Sequence, residues 1–145
     1  IIDRMDCKDN VLRIVDYKTG GKADTPPSVE SLFTPGPKRS NYVFQTFLYA
    51  AIVCRKLRKR NDDRKVAPAL LYIHRAAAED YSPVIQLKES YNKTTPVEDF
   101  SLLEEEFRTR LQVLLEEIFN PDLSFSQTEE EDRCTYCDFK EICKR

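Results

Sequence analysis

Apolar residues over the first eighteen positions come in two bursts, Ile1-Ile2 to Met5 and Val11-Leu12 to Val15, each broken by charged side chains. Rich in Ile and Val and separated by Lys8-Asp9-Asn10, they predict two strands, 1–7 and 11–18, joined as a β-hairpin. Between Gly20 and Ser40 the pattern dissolves into Gly, Pro, Ser, Thr and Lys, with prolines at 26, 27, 35 and 37. Those prolines exclude regular helix or central strand and predict a long loop, of the kind that carries function or lacks order. A 3.6-residue period then sets in. Val43, Phe44, Phe47, Leu48, Ala51 and Ile52 define one face of a helix capped by Ser40 or Asn41 and running to about Arg60. APALLYIH at 67–74 and PVIQLKES from 83 are short apolar runs that predict strands extending the hairpin's sheet. Ser101 followed by Glu104 forms a capping-box pattern. Leu102, Leu103, Phe107, Leu111, Leu114, Leu115 and Ile118 continue it as an amphipathic helix that ends near Asn120-Pro121. Together these elements predict an α/β domain, a mixed sheet built on the 1–18 hairpin and flanked by helices over 41–60 and 99–119.

Composition narrows this picture modestly. With 145 residues, 41% of them hydrophobic, and 7 Tyr and 8 Phe, the chain can fill one core, so residues 1–145 are expected to form a single domain. No run of 18 apolar residues and no charged-then-apolar leader is visible, which leaves a cytoplasmic protein as the simplest expectation. Cysteines number five, and three of them crowd into the tail at 129–145. An odd count clustered in this way favours reduced thiols or a metal over a disulfide framework. The net charge of −2 excludes little, because a near-neutral total can conceal basic patches. The chain opens at Ile1, inside a predicted strand, and so reads as excised from something longer.

The charges within the hairpin raise the chemical question. Side chains alternate along a strand, so Asp16 and Lys18 share the face of Leu12 and Ile14. The position of Asp3 depends on register. A two-residue Asp9-Asn10 loop sets it opposite Asp16, a Lys8-Asp9 loop sets it diagonally on the same face, and only an odd-length loop separates the acids. Two carboxylates this close, roughly 5–7 Å between Cβ atoms, repel unless a cation lies between them. Oxygen donors of this type suit Mg²⁺ or Mn²⁺, and a lysine beside them could orient an attacking water or stabilise charge on a phosphate. The plainer alternative is an exposed hairpin face with ordinary surface charges.

The stretch IIDRMD, then VLRIVDYKTG, then QTFLYA at 45–50 resembles the nuclease domain of the RecB and AddB type within the PD-(D/E)XK superfamily. The resemblance implies a restriction-endonuclease-like core, truncated here at its N-terminus, and a metal-dependent DNA exonuclease acting in repair or recombination beside a helicase partner or fused helicase-like domain. It matches Asp3 and Asp16 to the metal-binding acids, Lys18 to the catalytic lysine and the Tyr17 backbone carbonyl to a further Mg²⁺ ligand. Gln45 and Tyr49 match the later motif and, being four apart, share a helix face; the family sets that face beside DNA, while a core-edge Tyr with a solvated Gln is the alternative. The family also carries an acidic or histidine ligand upstream of the first aspartate, so the isolated piece is expected to hold an incomplete site. A nuclease-like module that binds DNA or a partner without cutting it is the competing reading.

Cys134, Cys137 and Cys143 supply three thiolates where a zinc site or four-iron cluster needs four. Iron-sulfur members of the resembled family use such a C-terminal trio with a distant upstream cysteine, which implies a 4Fe-4S cluster in the full-length protein; plain thiols are the alternative. Cys54, near the apolar side of its helix, reads as a small core residue. The basic run from Arg55 to Lys65 suits either phosphate contact or the C-terminal end of a helix dipole. Lys22, Lys38 and Arg39 place further positive charge in the long loop, where it could guide DNA, and His74 ends an apolar strand in a structural role.

Overall fold

The computed structural model describes residues 1–36, 39–129 and 131–144, and of Arg133 the backbone alone. Two strands, β1 (Arg4–Lys8) and β2 (Val11–Lys18), pair antiparallel, and β3 (Lys65–Tyr72) adds to β2 in parallel, giving a mixed sheet in the order β1-β2-β3. Lys8 pairs with Val11, so the hairpin loop is Asp9-Asn10. Both loop residues have positive φ, 51° and 61°. That is the twist a two-residue hairpin requires, and Asp and Asn tolerate it because their short polar side chains fit the left-handed region.

A parallel pair needs a crossover, which the loop after β2 and helix α1 (Asn41–Arg58) provide. Ser40 caps α1, its Oγ accepting the Val43 N–H at 3.4 Å. At the other end Asn61 turns left-handed (φ 53°), and the Asp62 N–H returns to the Leu57 carbonyl at 3.0 Å, closing the last turn. Val43, Phe47, Ala50, Val53 and Leu57 of α1 are buried with Leu12, Ile14, Val66, Leu70 and Tyr72 of the sheet. The buried stripe is rotated slightly from the expected one, and Ile52 is 46% exposed.

Three expectations are corrected. The 20–40 segment is not merely a loop: Val29 and Leu32 are buried around a short 3-10 turn at Glu30–Leu32, and Phe33 packs its ring 5.2 Å from both Phe44 and Phe107. Its prolines bar regular structure without barring apolar anchors from the core. The run from 83 joins the main sheet only briefly, through an Ala69–Val84 bridge, and then leaves it. Strands β4 (Gln86–Ser90) and β5 (Lys93–Pro96) form a separate antiparallel hairpin. The edge of β3 is taken beyond that bridge, because the Val66 carbonyl accepts from the Phe100 N–H at 2.7 Å.

The third correction concerns helix α2 (Ser101–Ile118). No capping box forms. Glu104 is buried and pairs with Arg58 of α1, and the Ser101 N–H is taken by Asp99 Oδ1 at 3.0 Å. A buried carboxylate gains more from a guanidinium than from one backbone amide, so the tertiary partner prevails. Phe107 is fully buried among Phe33, Phe44, Phe47 and Phe100, but Leu102, Leu115 and Ile118 of the expected apolar face are exposed. No helix among the described residues is long and apolar enough to cross a membrane.

Candidate active site

Strands β2 and β3 run in the same direction, so Lys18 and Tyr72 stand together at their C-terminal ends. In open α/β sheets that end is where ligands bind. The parity read from the sequence holds along β2: Leu12, Ile14 and Asp16 are buried on the core face, and Lys18 follows at the rim. Asp16 is 4% exposed and forms an ion pair with the Lys18 ammonium, whose side chain is 14% exposed. Among the described residues no other group donates a hydrogen bond to the buried Asp16 Oδ2, so the ammonium is its partner.

Asp3 precedes the Arg4–Val15 rung, so the Asp9-Asn10 register carries it to the level of Asp16. It is exposed, and its Oδ2 accepts the Tyr17 N–H at 2.8 Å. The chain immediately after Asp16 is thereby tied to the first acid. From α1, Gln45 and Tyr49 face the same place. Gln45 Oε1 accepts from Lys18 Nζ at 3.4 Å, and Gln45 Nε2 donates to the Tyr49 hydroxyl at 2.9 Å. Lys18 Nζ also lies 4.2 Å from the centre of the Tyr42 ring. Tyr42 is an addition to the residues expected from the sequence, although its spacing signals it. Positions 42, 45 and 49 are spaced i, i+3, i+7, a single stripe along one helix face.

Two elements therefore hold one ammonium, β2 through Asp16 and α1 through Gln45 and Tyr42, and the residues ahead of β1 are tied to the same place through the Asp3 link to Tyr17. The donor set suits a hard divalent cation. Its protein ligands would be carboxylate and carbonyl oxygens, and the buried Asp16 oxygen already faces a cation, the Lys18 ammonium.

A sequence model of the PD-(D/E)XK nuclease superfamily matches residues 1–144. The chain belongs to the PD-(D/E)XK nuclease superfamily. Its members are generally nucleases and typically use Mg²⁺ or Mn²⁺, and the mixed sheet flanked by α1 and α2 is consistent with the superfamily's restriction-endonuclease-like fold. No curated protein and no solved structure matched the chain.

The cysteine tail does not come together in the same way. Cys134, Cys137 and Cys143 are half-buried free thiols, and no group of three or more His, Cys, Asp or Glu side chains arranged to hold a metal occurs among the described residues. Cys54 is buried, and burial pushes its thiol up to about 12, in keeping with a core residue. Of the basic run, Arg58 and Arg64 are engaged with Glu104 and Asp62, while Arg55, Lys56, Lys59 and Arg60 face solvent. His74 is exposed, beyond the end of β3 in a short 3-10 turn, with its ring 6.0 Å from that of Tyr72. Lys38 lies outside the described residues.

Proposed function

We propose that this chain is the nuclease part of a RecB/AddB-type protein, hydrolysing phosphodiester bonds at DNA ends in repair or recombination, with a helicase as partner or fused neighbour. The observation that carries the reading is the Asp16–Lys18 pair at the carboxyl ends of two parallel strands, with Asp3 tethered to the Tyr17 amide, in a chain of a nuclease superfamily. Asp3, Asp16 and the Tyr17 carbonyl would hold Mg²⁺ or Mn²⁺. When bound, that ion neutralises charge on the scissile phosphate and makes water a better nucleophile at neutral pH.

The chain's own residues supply the remaining chemistry. Asp16 is fixed by burial, so its carboxylate does not need to be ordered when substrate arrives. Lys18 is held by contacts to Asp16, Gln45 and Tyr42 that leave its ammonium at the rim, where it can donate to a phosphate oxygen and stabilise charge that develops there. Gln45 and Tyr49 keep the amine aimed by a hydrogen-bonded chain along α1. A 4Fe-4S cluster at Cys134, Cys137 and Cys143 belongs to this reading only with a fourth ligand beyond these three thiols.

End-dependence is tested by offering linear and covalently closed circular forms of one DNA, with Mn²⁺, to the full-length protein and its Lys18→Ala form. Release of nucleotides from linear DNA alone, lost on Lys18→Ala, is expected. Equal attack on the closed circle would refute exonuclease action, and equal activity in the two proteins would refute the role of Lys18.

A further inference from the structure

The loop leaving β2 and the first turn of α1 enclose a cleft of about 370 Å³, lined by Lys22, Asp24, Arg39 and residues 40–42. One wall belongs to both this cleft and the candidate active site, because Tyr42 lines the cleft while its ring carries the Lys18 ammonium. Gly21 sets the closeness of the two. It has φ of +85°, and the position a Cβ would occupy lies only 3.6 Å from Tyr42 Cε2, so the backbone passes directly against the ring and delivers Lys22 into the cleft.

The charge of the cleft is uncommitted. Neither Lys22 nor Arg39 makes an ion pair among the described residues. The first turn of α1 contains no acidic residue, although acids are favoured there. Among the described residues Asp24 is the one carboxylate in the lining, opposed by Lys22 and Arg39. Two unpaired cations of different shape on an open polar cleft suit a tetrahedral oxyanion, with Arg39 offering a planar fork and Lys22 a point charge.

We propose that this cleft binds a backbone phosphate of the DNA strand next to the phosphate at Lys18, with Lys22 and Arg39 as its ligands and Asp24 limiting its strength. The proposal rests on the nuclease reading for the identity of the strand. It makes Lys22 and Arg39 binding residues that fix how the strand enters the site.

The test uses the full chain, a labelled 20-base-pair duplex, fluorescence anisotropy over a range of KCl concentrations, and cleavage kinetics with Mn²⁺. In the Lys22→Ala/Arg39→Ala double variant the slope of log affinity against log salt falls by about 0.9, as expected for one lost phosphate contact. KM rises by roughly tenfold at low salt while kcat holds, the signature of lost ground-state binding. Asp24→Asn tightens binding severalfold, a direction that damage to the fold would not produce. Inorganic phosphate at matched ionic strength leaves the duplex bound.

An unchanged slope and KM in the double variant overturns the proposal, as does no tightening in Asp24→Asn, or no binding of the duplex by the wild-type chain. Displacement of the duplex by submillimolar inorganic phosphate also overturns it, in favour of a free-phosphate site. An Asp16→Asn variant separates the two levels. If it cleaves like wild type the nuclease reading fails, while the salt slope still decides for or against the cleft.

Discussion

Lys18→Met removes the ammonium and keeps most of the side-chain volume, so it isolates the charge. The structure makes this costly. Asp16 and Lys18 side chains are only 6% and 14% exposed, and among the described residues no group besides the Lys18 ammonium reaches Asp16 Oδ2. Deleting one partner of a buried ion pair costs about 3–5 kcal/mol, because the other charge remains desolvated. The contact with the Tyr42 ring is lost as well. Because the ammonium sits at the rim and retains some solvent, the lower end, about 3 kcal/mol, is the appropriate figure. At roughly 3–4 °C per kcal/mol for a chain of this size, the midpoint should fall by about 10 °C. The assay is thermal or urea unfolding at pH 7 in EDTA. A double variant, Asp16→Leu/Lys18→Met, should recover most of the loss, since an apolar pair fits the same buried end of β2. A Lys18→Met midpoint within about 2 °C of wild type would refute the reasoning, by showing that Asp16 is not desolvated as the structure has it.

Three further outcomes follow from the packing. Phe107→Ala, which empties a site ringed by Phe33, Phe44, Phe47 and Phe100, should cost about 3–5 kcal/mol in urea unfolding. Asn10→Val forces a β-branched residue into the left-handed region at φ 61° and should cost about 1–2 kcal/mol, whereas Asn10→Gly should be neutral or slightly stabilising. Cys54 should resist alkylation in the native chain while Cys7 and the tail thiols react. Its folded value lies above its ordinary 9.0, so its contribution to stability is complete below pH 9 and is lost as pH rises toward about 12; urea midpoints of Cys54→Ala and wild type measured across that window should converge.

Parity made the hairpin legible. Alternation along one strand puts Asp16 and Lys18 on a shared face, and once Asp9 and Asn10 are accepted as a two-residue turn the approach of Asp3 follows. What the sequence could not reveal is which partner each group selects. A 3.6-residue period shows that α2 has an apolar stripe but not what covers it, so Phe107 is buried while Leu115 and Ile118 on the same stripe are exposed. Ser101 and Glu104 match a cap on spacing alone, and Arg58, 46 residues earlier in the chain, removes Glu104 from it. Strand β5 reads KTTP and offers no apolar alternation, because all four of its residues are exposed. Tyr42 was readable from the stripe it shares with Gln45 and Tyr49, but its use as a platform for Lys18 depends on the crossover placing α1 over the end of β2.

Asp3, Asp16 and Lys18 are proposed to form one metal-dependent hydrolytic site. Cleavage of a linear duplex by the full-length protein, measured in EDTA and in Mn²⁺, with Asp16→Asn alongside wild type, tests it most directly. Wild type should cleave only with the metal, and Asp16→Asn should lose at least a hundredfold in kcat/KM with duplex binding retained. Cleavage in EDTA, or an Asp16→Asn rate equal to wild type, would contradict it.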